Sequence, residues 1–125
     1  MDTSTTCVAG IQVFEQREEG EILILRFSRS KILDEAQIEN IRICLGIAAE
    51  ENRNMILDFS NVTFFSSAAL SPLLALRENL CERGKKILFA CMCKEVATIF
   101  AIVHCDTLEL MEQNVKSAIG KMRSS

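Results

Sequence analysis

The sequence of 125 residues has few of the residues that interrupt regular structure, with one proline and five glycines. It also lacks low-complexity segments, internal repeats and linker-like stretches. A chain of this length can bury roughly two-thirds of the surface that it exposes when unfolded. We therefore expect a single domain that spans residues 1–125, with its structured core at about residues 11–122.

An excess of positive charge is missing as well. The chain has 14 Lys and Arg against 17 Asp and Glu, for a formal net charge of −3. Because proteins that contact nucleic acid phosphates use clustered Lys and Arg, this composition disfavours a nucleic acid partner. No apolar run approaches the roughly 18 residues of a membrane span. The first ten residues lack the basic and apolar regions of a signal peptide, so we expect a cytoplasmic protein.

Cysteine is plentiful by contrast, with six residues in the chain. In a reducing cytoplasm we expect free thiols, and Cys44 and Cys105 lie in apolar stretches where they would act as small core residues. Cys91-Met92-Cys93 and His104-Cys105 carry soft ligand atoms, but their spacing fits no common zinc motif. We therefore expect no metal and no cofactor.

Hydrophobic spacing predicts alternating strands and helices along the chain. The expected strands are Ile11–Glu15, Glu21–Ser28, Met55–Phe59, Lys86–Cys91 and Thr107–Met111, with a polar turn at Arg17–Gly20 between the first two. Four helices are expected. The first follows Asp34 as its N-cap, and the second occupies Leu70–Arg83, up to Gly84. The third carries the hydrophobic stripe from Val96 to Val103, and the fourth carries the stripe from Val115 to Met122. This order predicts an α/β fold with a mixed sheet of about five strands and four helices.

The segment Met55–Leu70, MILDFSNVTFFSSAAL, carries the candidate site. A buried strand passes through a short polar turn into Ser66 and Ser67 and then into a leucine-rich helix. Sites in such sheets gather where strands end and helices begin, and a helix N-terminus favours an anion or phosphate. Ser71-Pro72 offers a second helix start, four residues later. We expect the helix to begin near Ser67, with a local kink at Pro72.

LDFSNVTFFSSAAL and the order of the elements resemble the STAS domain, the family of the anti-sigma factor antagonists and of the cytosolic tails of sulfate transporters. The resemblance runs from Ile11 to Met122. It includes Glu82–Lys86 before a strand and Lys94-Glu95-Val96 at the start of the third helix. It implies the STAS fold. Because no membrane segment precedes the domain in this sequence, we expect the antagonist type.

For an antagonist, the resemblance implies a binding switch that is regulated by serine phosphorylation. The unmodified domain would bind an anti-sigma factor that is also a serine kinase, and a serine phosphatase would reverse the modification. By position, Ser67 corresponds to the phosphorylated serine, with Ser66 as an alternative, and Leu70 corresponds to the signature leucine. A phosphoserine adds about −1.5 to −2 charge at pH 7, which the N-terminus of a helix tolerates and an acidic partner surface does not.

The signature has three departures from the family's usual Asp-Ser-Ser/Thr-Gly-Leu. Ser66 stands where Asp is usual, Ala68 replaces the second Ser or Thr, and Ala69 replaces Gly. Serine caps a helix nearly as well as aspartate. Loss of the glycine removes a position that can take positive φ, so the backbone is expected to follow a path that alanine can adopt.

The expected partner-binding residues are Ser66, Ser67, Ala68, Leu70, Arg29, Ser30 and Lys31. The last three form a loop that is expected near the serines, where they either border the partner surface or are ordinary solvated residues. They are assigned to the site only because of this expected position in the fold.

An enzyme is not expected. A Ser67 nucleophile would need a nearby base, and the single histidine, His104, has no obvious orienting acid. Asp58 lies inside the central strand, where a hydrogen-bonded structural role is expected. The alternative function is a STAS scaffold or ligand-sensing module that is never phosphorylated.

Overall fold

The computed structural model describes residues 3–8, 11–103 and 110–123. Within these ranges, six strands form one sheet, in the spatial order β1 (Thr3–Val8), β2 (Ile11–Glu19), β3 (Ile22–Phe27), β5 (Asn54–Asp58), β7 (Ile87–Ala90) and β8 (Met111–Glu112). Two short strands, β4 (Lys31–Ile32) and β6 (Phe64–Phe65), pair with each other outside that sheet. The helices are α1 (Glu35–Ala49), α2 (Leu70–Glu82), α3 (Lys94–Val103) and α4 (Val115–Arg123), and a 3₁₀ turn at Ser67–Ala69 precedes α2.

The predicted α/β fold is confirmed in this part of the chain, with a mixed sheet and four helices. β1, β2 and β3 are antiparallel. β3, β5, β7 and β8 run parallel, because a helix lies between each successive pair in the sequence. β1 is a sixth strand that the hydrophobic pattern did not predict, since its sequence, TSTTCV, has no apolar alternation.

The first hairpin is longer than predicted. β2 continues through Glu19, so the turn predicted at Arg17–Gly20 is wrong, and the chain reverses at Gly20 and Glu21. Gly20 has φ of +62°, a left-handed conformation that favours glycine. Glu18 and Glu19 before it remain extended because both pair with β3. Arg17 pairs with β3 and also with β1.

The last strand also differs from the predicted one. β8 contains only Met111 and Glu112, which pair with Phe89 and Ala90 of β7. The predicted strand Thr107–Met111 therefore overlaps it at one residue, and residues 107–109 lie outside the described part of the chain. The pairing with β7 fixes the position of β8, and local hydrophobicity does not.

Helix ends follow the predicted caps. Asp34 caps α1 by accepting a hydrogen bond from the Gln37 backbone N–H, while the Gln37 side chain accepts one from the Asp34 N–H, which is a capping box. Gly84 ends α2 with φ of +74°. Around it, the Lys85 N–H donates to the Leu80 carbonyl at 2.8 Å, which is the 6→1 hydrogen bond of a Schellman motif.

The two faces of the sheet are covered unequally. α1, α2 and α3 pack on one face, and α4 packs on the other. The smaller core, under α4, contains Ile22, Ile24, Ile56, Leu88, Ala90, Ala118 and Met122. None of the helices, within the residues that the structure describes, has the length and hydrophobicity to cross a bilayer.

An aromatic cluster closes the larger core at the carboxyl ends of the parallel strands. Phe59, fully buried immediately after β5, lies with its ring centroid 4.8 Å from that of Phe27 and 5.6 Å from that of Phe65. Its ring also contacts Phe89 at 6.0 Å and Phe100 at 5.9 Å. One side chain thus joins β3, β6, β7 and α3.

Replacement of Phe59 is expected to destabilise the domain strongly. Phe59→Ala removes a buried ring and leaves a cavity, which costs about 3–5 kcal/mol of the free energy of unfolding. Urea denaturation followed by circular dichroism measures this change. Phe64→Ala is the matched control, because the Phe64 side chain is 45% exposed, and it should cost less than about 1 kcal/mol. Similar losses for the two variants would contradict this account of the cluster.

Candidate functional site

The turn after β5 is held by three hydrogen bonds. The Ser60 N–H donates to the Asp58 carboxylate at 2.9 Å, and the Val62 N–H donates to the Phe59 carbonyl at 2.9 Å. The Asn61 side-chain amide reaches across to the Phe27 carbonyl at 3.0 Å. The polar turn between the buried strand and the serines is therefore fixed to the end of β3 as well as to β5.

The β4–β6 ladder brings the two predicted parts of the site together. Lys31 pairs with Phe64, and Ile32 pairs with Phe65. The Thr63 N–H donates to the Ser30 carbonyl at 2.7 Å, and the Ser66 N–H donates to the Ile32 carbonyl at 2.9 Å. The loop that contains Arg29, Ser30 and Lys31 thus lies beside the serine segment, as the expected position of that loop requires.

Ser67 is the first residue of the 3₁₀ turn, and it is exposed. Ser66 precedes it in an extended conformation and is partly exposed, and its side chain forms no capping hydrogen bond. Ala68 is exposed next to Ser67. Two of the signature side chains, at positions 67 and 68, therefore face solvent at the start of the helical segment.

Ala69 and Leu70 point the other way, into the core. Leu70, one of the expected partner-binding residues, is only 1% exposed. Its side chain packs in the core beneath the turn and offers no surface to a partner. Ala69 has φ of −74° and ψ of −11°, an ordinary right-handed conformation. The alanine-compatible path expected from the loss of glycine is confirmed.

The predicted helical start near Ser67 is confirmed, and it has a 3₁₀ form. The α-helix proper begins at Leu70, three residues later. Pro72 explains the difference: it lacks the N–H that an α-helical bond to the Ala68 carbonyl would need, and its ring crowds that carbonyl. The first turn therefore closes with the tighter hydrogen bonds of a 3₁₀ helix, such as that from the Ala69 N–H to the Ser66 carbonyl at 3.0 Å.

Two exposed apolar side chains border the serines, and the sequence pattern did not single them out. Phe64 of β6 is 45% exposed, and Leu33, directly after β4, is 52% exposed. β6 has only two residues, and its pleat turns Phe65 inward and Phe64 outward. The adjacent pair Phe64-Phe65 was the available signal, but only the strand pairing shows which ring is exposed.

Asp58 is the last residue of β5 and is partly buried, which agrees in part with the interior strand position expected for it. Its carboxylate also faces Cys91, which has φ of +66°. Burial raises the pKa of the Cys91 thiol above its ordinary value of 9.0, and the charge of Asp58 and a hydrogen bond to its carboxylate raise it further. The thiol is therefore held in its protonated form, which is the less nucleophilic one.

The other cysteines whose side chains the structure describes are divided between core and surface. Cys44 is buried, so its predicted core role is confirmed, whereas Cys81 is exposed. Cys93 is partly exposed, and its sulfur lies 3.7 Å from the Val62 carbonyl oxygen. His104 and Cys105 lie outside the described residues. In the ranges that are described, no three His, Cys, Asp or Glu side chains form a group suited to a metal.

The family model of the STAS domain matches residues 13–118, which is most of the chain. The chain belongs to the STAS domain family. The resemblance stated from the signature and the order of elements is therefore confirmed.

Solved structures agree on the fold. The anti-sigma factor antagonist SpoIIAA in its unphosphorylated form is 18% identical, with a TM-score of 0.75 over 90% of this chain and 98% of that chain. The phosphorylated form of SpoIIAA, a cell fate determinant of Bacillus, is 16% identical, with a TM-score of 0.68 over 87% of this chain and 98% of that chain. An anti-sigma factor antagonist (STAS) domain protein of Planctomyces limnophilus is 17% identical, with a TM-score of 0.77 over 87% and 96% of the two chains.

A transporter shares the fold as well. The murine anion transporter Slc26a9 is 16% identical, with a TM-score of 0.66 over 87% of this chain but only 19% of the transporter chain. No curated protein matched the sequence. At these identities the comparisons establish the STAS fold and leave the function to be argued from the site.

The raised pKa of Cys91 predicts slow alkylation. Near pH 8, iodoacetamide should modify Cys91 more slowly than the exposed Cys81, because less of the Cys91 thiol is ionised. Asp58→Asn removes the carboxylate charge and should speed the reaction at Cys91. Peptide mass spectrometry of a time course measures both rates in one sample, with Cys81 as the internal control.

The same raised pKa makes the stability of the folded domain depend on pH. A thiol whose pKa is raised by folding contributes stability that is fully present below pH 9 and is lost as the pH rises further. Cys91→Ser, whose hydroxyl does not titrate in this range, should flatten that alkaline decline in stability.

For the alkylation experiment, an unchanged rate at Cys91 in Asp58→Asn would contradict the role given to the carboxylate.

Proposed function

We propose that this STAS domain is a cytoplasmic anti-sigma factor antagonist, a binding switch that is regulated by phosphorylation of Ser67. Its partner is an anti-sigma factor with serine kinase activity, and a serine phosphatase resets the switch. The domain itself binds and does not catalyse. This proposal is supported by the STAS family membership, by the antagonists among the similar structures, and by the position of Ser67.

The exposure of Ser67 carries the proposal. Ser67 is exposed to solvent at the first position of the 3₁₀ turn, while Ala69 and Leu70 anchor that turn in the core. A kinase can therefore approach the hydroxyl without unfolding the domain. Transfer of the γ-phosphoryl group of ATP to Ser67 Oγ would release ADP and the hydroxyl proton, and Ser66 is the alternative acceptor.

The physical effect of the phosphate follows from its charge and place. A phosphoserine adds about −1.5 to −2 charge at pH 7 and three acceptor oxygens. Backbone N–H groups at the start of a helical segment tolerate that charge, so the fold is retained. A partner surface that fits the small neutral serine would meet a bulky, hydrated anion, and the complex would dissociate.

The surface around Ser67 also has the composition of a binding site. The exposed Phe64 and Leu33 supply apolar area, and the exposed Arg29 and Lys31 supply positive charge beside it. Aromatic side chains surrounded by polar groups are frequent at the centres of protein interfaces. We therefore extend the predicted partner surface to these two apolar residues.

Ser67→Asp is expected to weaken partner binding by at least about tenfold, because it places a negative charge in the contact. Ser67→Ala should bind the partner as the wild type does. Affinity capture from the protein's own cell lysate, with identification of the kinase and titration calorimetry on the purified pair, measures the difference. Phosphate on Ser67 should be found in the wild type by mass spectrometry.

Two controls separate this effect from its alternatives. Ala75→Asp introduces the same charge at an exposed position eight residues along the helical segment, about 12 Å away, and should leave binding unchanged. Ser67→Asp should change the free energy of unfolding by less than about 0.5 kcal/mol. Equal capture of a partner by all variants, without phosphate on Ser67 or Ser66, would favour the unphosphorylated scaffold instead.

Phe64→Ala is expected to weaken partner binding by about tenfold, because truncation of a central aromatic side chain removes buried contact area. The matched control is Ile47→Ala, which truncates a side chain that is 61% exposed in the last turn of α1. Ile47 lies about 18 Å along α1 from the end that follows β4. If both truncations weaken binding equally, the Phe64 surface is not the contact.

A further inference from the structure

A cavity of about 280 Å³ lies between the sheet and the first two turns of α1, beside the β4–β6 ladder. Its floor is apolar and consists of the buried side chains of Val13, Phe27, Ile32 and Ile41. Ligand sites are typically concave and apolar, with a few polar groups that orient the ligand, and this volume lies just below their usual range of roughly 300–1,000 Å³. The cavity therefore suits a small molecule.

The rim of the cavity carries two opposite charges that do not neutralise each other. Arg29 and Asp34 both line it, and neither belongs to any of the ion pairs found among the described residues. One Asp34 oxygen accepts the capping bond from the Gln37 N–H at 2.8 Å, which leaves the second oxygen available. The Asn40 side-chain amide lines the same rim. The rim thus offers a cation, a carboxylate oxygen and an amide.

The Gln37 side chain lines one wall of the cavity and is held there by hydrogen bonds to the β4 segment. Its oxygen accepts from the Leu33 N–H at 2.8 Å, and its amide donates to the Lys31 carbonyl at 3.0 Å. It therefore positions β4 relative to α1 and leaves ligand contacts to Arg29, Asp34 and Asn40.

We propose that this cavity binds a hydrophobic α-amino acid. The carboxylate of the amino acid pairs with the Arg29 guanidinium, its ammonium group donates to the free Asp34 oxygen, and its apolar side chain lies on the floor at Val13 and Ile32. A plain carboxylic acid would leave Asp34 unmatched and next to a like charge, and a plain amine would do the same with Arg29. A zwitterion with an apolar side chain matches both charges and the floor.

The site has a direct connection to the serine segment. Ile32 contributes its side chain to the floor, and its carbonyl accepts the hydrogen bond from the Ser66 N–H. A ligand that shifts β4 therefore changes the environment of Ser66. Binding of the ligand does not rest on the proposed partner switch. Only an effect of the ligand on partner binding would rest on it.

The test is an NMR titration of the isolated, isotope-labelled chain with L-leucine, isocaproate and isoamylamine. Isocaproate is leucine without its ammonium group, and isoamylamine is leucine without its carboxylate. L-leucine should give saturable shifts of the Val13, Ile32 and Ser66 amides, with millimolar or tighter affinity. Each analogue should bind at least about tenfold more weakly, because each loses one charged contact.

Three variants locate the site. Ala36→Leu places a larger side chain at the cavity in the first turn of α1, where leucine is nearly as good a helix former as alanine, and it should abolish binding. Arg29→Gln should weaken binding of L-leucine by about tenfold. Arg42→Gln is the matched control: Arg42 is exposed on α1 away from this cavity and forms only a surface ion pair with Glu39, so binding should be retained.

Three results would overturn the proposal: no saturable shift at concentrations on the order of 20 mM L-leucine, equal binding of all three ligands, or binding that survives Ala36→Leu. Circular dichroism of each variant confirms that it is folded, so that lost binding is not lost structure. Since the titration contains no partner, its failure would leave the Ser67 switch standing. Conversely, binding of L-leucine would stand if Ser67→Asp had no effect on a partner.

Discussion

The packing of Phe59 is the contact on which the site depends. Its ring lies at the point where β5 leaves the sheet, and it is in contact with Phe27, Phe65 and Phe100. Phe65 belongs to β6, so this packing fixes the short strand that leads into the serines. The exposed turn at Ser67 is therefore positioned by a buried aromatic cluster beneath it, and its outer surface faces solvent.

Local chemistry predicted the helices of this chain better than its strands. The Asp34 cap, the Gly84 stop and the helical stripes all act within one or two turns, and each appears where the sequence indicates it. β1 and the second half of β2 form through hairpin pairing with the neighbouring strand, and β8 forms through pairing with β7; the hydrophobic pattern of each segment alone does not encode these pairings. Charged residues in β2 remain extended for the same reason.

The candidate site was partly predictable. The signature placed Ser67 at the start of a helical segment and the Arg29–Lys31 loop near it, and the β4–β6 ladder supplies the contact between them. The exposure of Phe64 could not be predicted, because a two-residue strand leaves no readable period. The cavity on the far side of β4 was equally hidden, since its lining comes from four separate segments.

The separation of the β4–β6 ladder from the main sheet has a consequence for the dynamics of the domain. The two strands are hydrogen-bonded to each other and not to the six-stranded sheet. Short units of this kind can open with a free energy well below that of global unfolding. The serine segment can accordingly rearrange for the proposed kinase or phosphatase while the sheet remains closed.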